Sequence, residues 1–424
     1  MAKRSSAGAS PSRRSVSTLS SAATKIDVAQ TPSPANHGPE VRVSDRMSYD
    51  VIVIGGGPSG SSAALRAAQL GARVLLLEKT SMPRPKLCGG WVSRYALSRL
   101  GFEIAPQIVE TSFRSLELSD SASSVTLAPE QALGIFVDRA SFDHFLLEQA
   151  QAGGAQIRTE KALAVDSQGS RIQVRTTEST HEAGGVVICT GAAGALVGSV
   201  RRLDTACQSA ACIEQRVPVE FADPLGIGEG QARLCLGAVP YGYGWILHHG
   251  AYLLVGIGCR RHGSPDLLAA FKSFWETLSL PPELPSPRGH LLPIGGYDRR
   301  LGRERCLLAG DAAGMVDALN GEGIAGAIES GQMAAEALAA GPDSDAAALY
   351  RDSCRRSLVP HLRWSLRFAW AFYRSPGWFL RSFKQDPDLI QRYGEVLERR
   401  RSYPWFLSRF AGRRLRTSIL HNGR

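Results

Sequence analysis

Apolar residues recur along this chain in three patterns, and each predicts a different kind of element. Val51-Ile52-Val53-Ile54, Val186-Val187-Ile188-Cys189 and Cys306-Leu307-Leu308-Ala309 are continuous apolar runs that lead into glycine turns. Such runs suit central parallel strands covered on both faces. From Ser61 to Leu70 the residues fit a helix that Gly71 stops, and Arg73-Val74-Leu75-Leu76-Leu77 then returns to a buried strand ending at Glu78. A second helix is expected after Phe136-Val137-Asp138-Arg139, closing near Gly153-Gly154. Between about 203 and 300 the pattern changes to short alternating runs such as Ala232–Val239 and Ala251–Gly258, which predict antiparallel strands. From Leu362 to Leu420 the chain is helical in tendency, with Trp364, Trp370, Trp378 and Trp405 set among arginines.

The glycines after the first strand have separate tasks. In Gly55-Gly56-Gly57-Pro58-Ser59-Gly60, Gly55 permits the tight turn, Gly57 lets a pyrophosphate approach the backbone, and Gly60 lets the next helix lie close to the strand. Glu78 stands 18 residues past Gly60, where a carboxylate accepts ribose hydroxyl bonds and repels a 2′-phosphate. Lys79 is placed with the same cofactor contacts. A second anchor is Gly310-Asp311, followed by Asn320-Gly321-Glu322-Gly323-Ile324 at the head of a helix. Asp311 can accept from a ribityl hydroxyl, and the helix N-terminus can stabilise negative charge on a reduced flavin ring. A glycine loop without nucleotide and a strand ending in a plain turn are the bland alternatives. Taken together, the two anchors specify FAD, with Gly191 in a third turn beside them. The expected fold is α/β: a Rossmann-like FAD-binding domain, an interleaved antiparallel β-sheet substrate domain and a helical C-terminal region. The boundaries read as 47–202 with 300–345, then 203–299, then 346–424.

Charge is distributed unevenly. The net charge is +10, yet residues 361–424 hold 14 Lys/Arg against 4 Asp/Glu and residues 1–46 hold 7 against 3, which leaves a mildly acidic body. A nucleic-acid partner has charge in its favour but no recognition motif. The eight cysteines show no paired metal spacing, so no metal is assigned, and buried thiols in a reducing compartment are expected. Residues 1–46 are rich in Ser, Ala and Pro and have no secretory apolar run; a disordered tail, an organelle transit peptide and a start at Met47 are the readings open. The basic, aromatic C-terminal stretch suits either a membrane interface or a helical cap on the flavin domain. No apolar run is long enough for a membrane-spanning helix. A cytoplasmic location, peripheral to a membrane if the C-terminal stretch binds one, is expected.

Three further segments resemble a family. Cys88-Gly89-Gly90, some ten residues after Glu78, Arg139 in Arg139-Ala140-Ser141-Phe142-Asp143, and Pro240-Tyr241-Gly242-Tyr243-Gly244-Trp245 are similar to motifs of the geranylgeranyl reductase family of flavoproteins, within the hydroxybenzoate-hydroxylase group. Two positions depart from its pattern: Trp91 replaces a third glycine, and Ala193 stands where an Asp is usual. The resemblance implies that Cys88, Gly89 and Gly90 line the flavin, that Arg139 reaches the cofactor, and that Trp91, Pro240, Tyr243 and Trp245 shape the substrate cavity. It further implies reduction of isoprenoid double bonds, with Cys88, Tyr243 and Trp245 as catalytic candidates. Tyr243, Cys88 or a water could donate the proton. No second nucleotide motif follows a strand, so the electron donor, NADPH or a ferredoxin-type protein, would dock transiently. A monooxygenase or halogenase of the same fold, a non-redox isomerase, and a membrane-binding flavoprotein without turnover are the rival classes. The Trp-x-Trp-x-Ile-Pro segment of flavin halogenases is absent.

Overall fold

The strand Ser48–Ile54 forms the axis of the first sheet. It pairs in parallel with Val74–Glu78 on one side and Thr180–Ile188 on the other, and Gln156–Thr159 and Cys306–Leu308 extend the sheet outward. The parallel register follows from the apolar runs: Ile52, Val53, Leu75, Leu76, Val186, Val187, Leu307 and Leu308 are all fully buried. Each such side chain contributes roughly 1.5–3 kcal/mol of burial. Added to this core is an antiparallel hairpin, Ala162–Gln168 with Arg171–Thr176, carried on Thr180–Ile188. This is a computed structural model, and it describes residues 48–168, 171–192, 194–263, 265–281 and 287–411. Residues 1–47, Ala193 and 412–424, on which expectations from the sequence also fall, lie outside that set.

Two helices cover the sheet beside the glycine turns. Pro58–Gln69 begins with Pro at its first position, and Ile324–Ala339 packs against it. They cross so closely that a Cβ on Gly331 would stand 2.2 Å from the Ser59 carbonyl oxygen. The helix Arg139–Ala152 starts where the sequence reading placed it, capped by Asp138, whose carboxylate accepts from the Ala140 and Ser141 amides at 2.9 and 3.3 Å.

A second sheet of seven strands runs in the order Arg288–Pro293, Ser209–Pro218, Tyr252–Arg260, Gly242–His248, Gln231–Leu236, Ser115–Ser119, Ser124–Leu127. The alternating runs expected between 203 and 300 form five of these strands. The other two come from residues 115–127, outside that span, and Ser115–Ser119 joins Gln231–Leu236 in parallel. A small sheet of Trp91–Ser93, Gly134–Val137 and Val109–Phe113 is built from the chain between Val74–Glu78 and Gln156–Thr159.

The C-terminal helices Leu358–Arg374, Pro376–Gln385 and Pro387–Leu397 pack mainly as a cap. Phe368, Phe372, Phe379, Phe383, Tyr393 and Phe406 are buried in one core cluster with Leu116, Leu127 and Trp245 of the seven-stranded sheet. Trp370 and Trp378 are the exceptions, at 54% and 43% exposed.

Gly60 is the tightest of the glycines among the described residues, since a Cβ there would lie 1.7 Å from the Gly55 carbonyl oxygen. Gly60→Ala is therefore expected to cost about 3 kcal/mol, at the upper end of overpacking costs. Thermal unfolding should show the loss, whereas Gly198→Ala, with nothing within 4 Å of the added methyl, should leave the midpoint unchanged.

Candidate functional site

The glycine loop, the loop before Ile324 and the Cys88–Gly90 segment bound one elongated cavity of about 1060 Å³. Ligand pockets usually span roughly 300–1,000 Å³, so this one has room for a dinucleotide and part of a second molecule. At its dinucleotide end the helix Pro58–Gln69 starts from Gly57 with no side-chain cap, so its first N–H groups stay open to the cavity. Glu78 is buried, and its Oε2 accepts the Gly56 N–H at 2.7 Å.

Arg84, which the sequence reading left without a role, stands over this end. Its guanidinium lies 3.5 Å from Glu78 Oε1 and 3.9 Å from Asp143 Oδ2, yet its buried Nε has no hydrogen-bond acceptor. Gly57 faces the same guanidinium, 3.8 Å from where a Cβ would sit. A buried guanidinium N–H without an acceptor beside open helix amides fits a bound pyrophosphate. Thr190 Oγ1, Trp91 Nε1 and Trp245 Nε1 are also buried without partners along the cavity wall. The residues present therefore fit FAD.

At the other end the backbone of Cys88–Gly90 is clamped between the small sheet and the seven-stranded one. Gly90 has φ +69°, and a Cβ there would meet the Val137 carbonyl oxygen at 2.4 Å and His249 Cε1 at 2.9 Å. Val137 N–H donates to the Gly90 carbonyl at 3.0 Å, and Cys88 N–H donates to Glu214 Oε1 at 2.9 Å. His249 spans the 3.2 Å to the Gly89 carbonyl with Nε2 and the 2.6 Å to Glu110 Oε2 with Nδ1. Lys86 and His290 meet across the cavity, Nζ to Nε2, at 2.5 Å. Burial and the nearby Lys86 charge push the His290 ring down, and burial lowers Lys86 as well.

The loop before Ile324 depends on a buried carboxylate. Asp317 Oδ1 accepts from Leu319 N at 2.8 Å and Ser365 Oγ at 2.5 Å, while Oδ2 accepts from His361 Nε2 at 3.0 Å and the Tyr403 hydroxyl at 3.1 Å. Burial alone would raise this carboxyl, but the hydrogen bonds and the His361 charge outweigh it and hold it at about 2. Tyr243 donates to the Asn320 carbonyl at 2.7 Å and stacks on Tyr373, so the aromatic wall and the loop are joined.

The cavity gathers most of the residues singled out in the sequence: Gly55, Gly57, Pro58 and Ser59 with Glu78 and Lys79 at one end, and Cys88, Gly89, Gly90 and Trp91 at the other. Arg139, Gly191, Tyr243, Trp245, Asp311, Gly321, Gly323 and Ile324 line it as well. Arg139 is paired with Asp143 through two bonds of 2.7 and 3.0 Å, so it borders the cavity as half of an ion pair. Gly60 and Gly310 are not part of the lining: Gly60 packs beneath Gly55, and Gly310, with φ +62°, donates its N–H to Ser330 Oγ. Pro240 is exposed and lies outside the cavity, a departure from the substrate role expected of it. Arg84, Lys86, Glu214, His290 and Asp317 were missed. Only Glu214 left a period-two signal, as an acid on the same strand face as Cys212. Among the described residues no cluster of His, Cys, Asp or Glu is arranged to hold a metal ion.

A family model for FAD-dependent oxidoreductases matches residues 50–199. The chain is 30% identical over 318 residues to the menaquinone reductase of Mycobacterium tuberculosis, covering 69% of this chain and 76% of that one. It is 29% identical to digeranylgeranylglycerophospholipid reductase 2 of Methanothermobacter thermautotrophicus, covering 76% and 87%. Among solved structures, a geranylgeranyl bacteriochlorophyll reductase-like protein of Thermoplasma acidophilum superposes with a TM-score of 0.71 at 19% identity, covering 83% and 91%. A flavin-dependent brominase superposes at 0.65 and 17%, covering 83% and 93%, which at that identity reflects the shared fold.

Asp317→Asn removes a charge that several donors are built around, and should cost roughly 3 kcal/mol. Because the folded carboxyl titrates below its ordinary value of about 3.9, its contribution is complete above that value and is lost as pH falls through about 2. Unfolding free energy measured against pH should therefore show a shallower acid limb in the variant, together with weaker retention of FAD.

Proposed function

Because the chain belongs to the geranylgeranyl reductase family of FAD-dependent oxidoreductases, we propose that it saturates C=C bonds of a geranylgeranyl or other isoprenoid chain. The observation that supports this most is the apolar branch of the cavity. Trp91, Phe113, Leu116, Leu234, Trp245 and Leu247 wall it, next to the Cys88–Gly90 segment. An aromatic and aliphatic channel opening on a dinucleotide site suits a prenyl chain better than a polar aromatic acid.

In this reading Glu78 holds the ribose of FAD, while the open amides at Ser59 and the Arg84 guanidinium hold the pyrophosphate. Asp311 takes the ribityl chain, and the amides at Gly323 and Ile324 face the ring. The bound flavin, once reduced, supplies a hydride. This chain's residues hold the prenyl segment against the Cys88–Gly90 backbone and exclude water. An isolated alkene is not polarised for hydride attack, so a proton must arrive in step with it, and a dry aromatic cavity shelters the cationic character that develops. The reductant is proposed to be a transient donor, NADPH or a ferredoxin-type protein. Among the described residues, Gly226–Gly230 forms a turn between a four-residue helix and a strand, with no nucleotide-binding unit around it.

One observation favours a membrane surface as the place where the substrate is met. Trp370 and Trp378 are exposed beside Arg367, Arg374 and Arg381, which are exposed too. Interfacial tryptophans and arginines bind the headgroup region of anionic lipid. Among the described residues no helix is long and apolar enough to cross a membrane. The variant Trp370→Ala should sediment less with anionic vesicles, whereas Trp378→Ala should also lower the unfolding temperature, since Trp378 packs edge-on against buried Phe379 and Phe410.

The reductase reading is tested anaerobically: photoreduce the bound flavin, add lipid carrying geranylgeranyl chains, and follow flavin absorbance and product mass together. Reoxidation coupled to gains of two hydrogens per step is the expected outcome. A flavin that stays reduced until air is admitted would favour the monooxygenase or halogenase alternative.

A further inference from the structure

Glu214 lies on the strand Ser209–Pro218, and its side chain lines the cavity on the same face as Ala210 and Cys212. Ile213 and Val217, on the other face, pack in the cluster formed with the helix Leu267–Thr277. The residue is 5% exposed. One oxygen, Oε1, accepts the Cys88 N–H. Among the described residues nothing else donates to the carboxyl, and no cation forms an ion pair with it.

Of the charged groups around it, three are committed elsewhere, and Arg288, opposite Glu214 in the register of the strand Arg288–Pro293, is exposed. Across the cavity, Lys86 is bonded to His290 and Arg139 to Asp143; on the same strand, Arg216 reaches Asp138 at 2.6 Å. The thiols of Cys88 and Cys212 are the other titratable neighbours. A buried carboxyl without an ion-pair partner is cheapest as the neutral acid. Its position adjoins the Cys88–Gly90 segment, where the apolar branch meets the dinucleotide site.

Resting on the reductase reading above, we infer that the carboxyl of Glu214 is the catalytic acid that delivers the proton to the alkene. Burial drives the group up to about 7, although the Cys88 N–H and Lys86 pull the other way, so a proton is held and released near neutral pH. Tyr243 and Cys88 were the candidates expected from sequence. The Tyr243 hydroxyl is bonded to the Asn320 carbonyl, and burial pushes it far above its ordinary value, which makes it the weaker acid. In the balanced step the alkene π pair takes the Glu214 proton to form one C–H bond. The other carbon accepts a hydride from reduced flavin, which is thereby oxidised by two electrons. The carboxylate left on Glu214 regains a proton from solvent, completing the net addition of two hydrogens.

Two measurements test the role. In flavin-free protein, difference infrared spectroscopy should show a protonated-carboxyl C=O band that disappears as pH rises through about 7. The band should be absent from Glu214→Gln. In anaerobic single turnovers with a geranylgeranyl lipid, wild-type flavin reoxidation should slow above the same pH. Glu214→Gln, which keeps an acceptor for the Cys88 N–H, should bind FAD normally, reoxidise on the order of 100-fold more slowly, and lose the pH dependence. Wild-type rate and pH profile in Glu214→Gln, or a missing wild-type band, overturns the proton role and leaves the reductase reading standing. A band that titrates as described, with no saturated product from the wild-type protein, overturns the reductase reading instead.

Discussion

Backbone touches backbone where the helix Pro58–Gln69 leaves the first sheet, and the cavity exists because of that contact. Gly60 lies against Gly55, Gly331 against the Ser59 carbonyl, and Gly310 against the Ser59 side chain. Any side chain at these three points would push one of the two helices off the sheet. Their N-termini would then no longer face the same space, and the open amides would lose their common direction. The constraint is steric, and its product is electrostatic: two helix N-termini at one cavity, the second with its Ala325 amide bonded to the Glu322 carboxylate.

The second sheet adds what the first cannot. A parallel sheet with helices on its faces offers a dinucleotide crevice but no deep apolar channel. Here the seven-stranded sheet supplies that channel, and Cys88–Gly90 is the seam between it and the small sheet that contains Gly134–Val137. Its amides and carbonyls are held by Val137 from one side and by Glu214 and His249 from the other. The Cys88 amide and the Gly89 and Gly90 carbonyls are thus bonded, and the apolar wall begins next to them. Chemistry that needs a fixed acid and little water is favoured by that arrangement.

The parts of this architecture that could be read from the sequence are those with local causes. Val51–Ile54 and Leu307–Leu308 are apolar without interruption because both faces of their sheet are covered, and the turns that follow must be glycine because the neighbouring backbone leaves no room. The strands at 115–127 escaped notice because each has at most five residues and the second is half exposed. Lys86 and His290, 204 residues apart, meet only because His290 sits opposite Cys212 in the register of the second sheet. No local pattern encodes such a meeting. The C-terminal aromatics were ambiguous for a related reason, since an apolar helix face looks the same whether a sheet or a lipid covers it.

Asp317 gives the chain an order of assembly. The loop that precedes Ile324 is shaped by a carboxylate whose donors include Ser365, His361 and Tyr403. When that loop first leaves the ribosome, those donors have not yet been made. The glycine-loop end can form from the first few hundred residues, while the ring end waits for nearly the whole chain. A chain cut short before Tyr403 would lack one of the donors to the carboxylate that shapes the loop before Ile324.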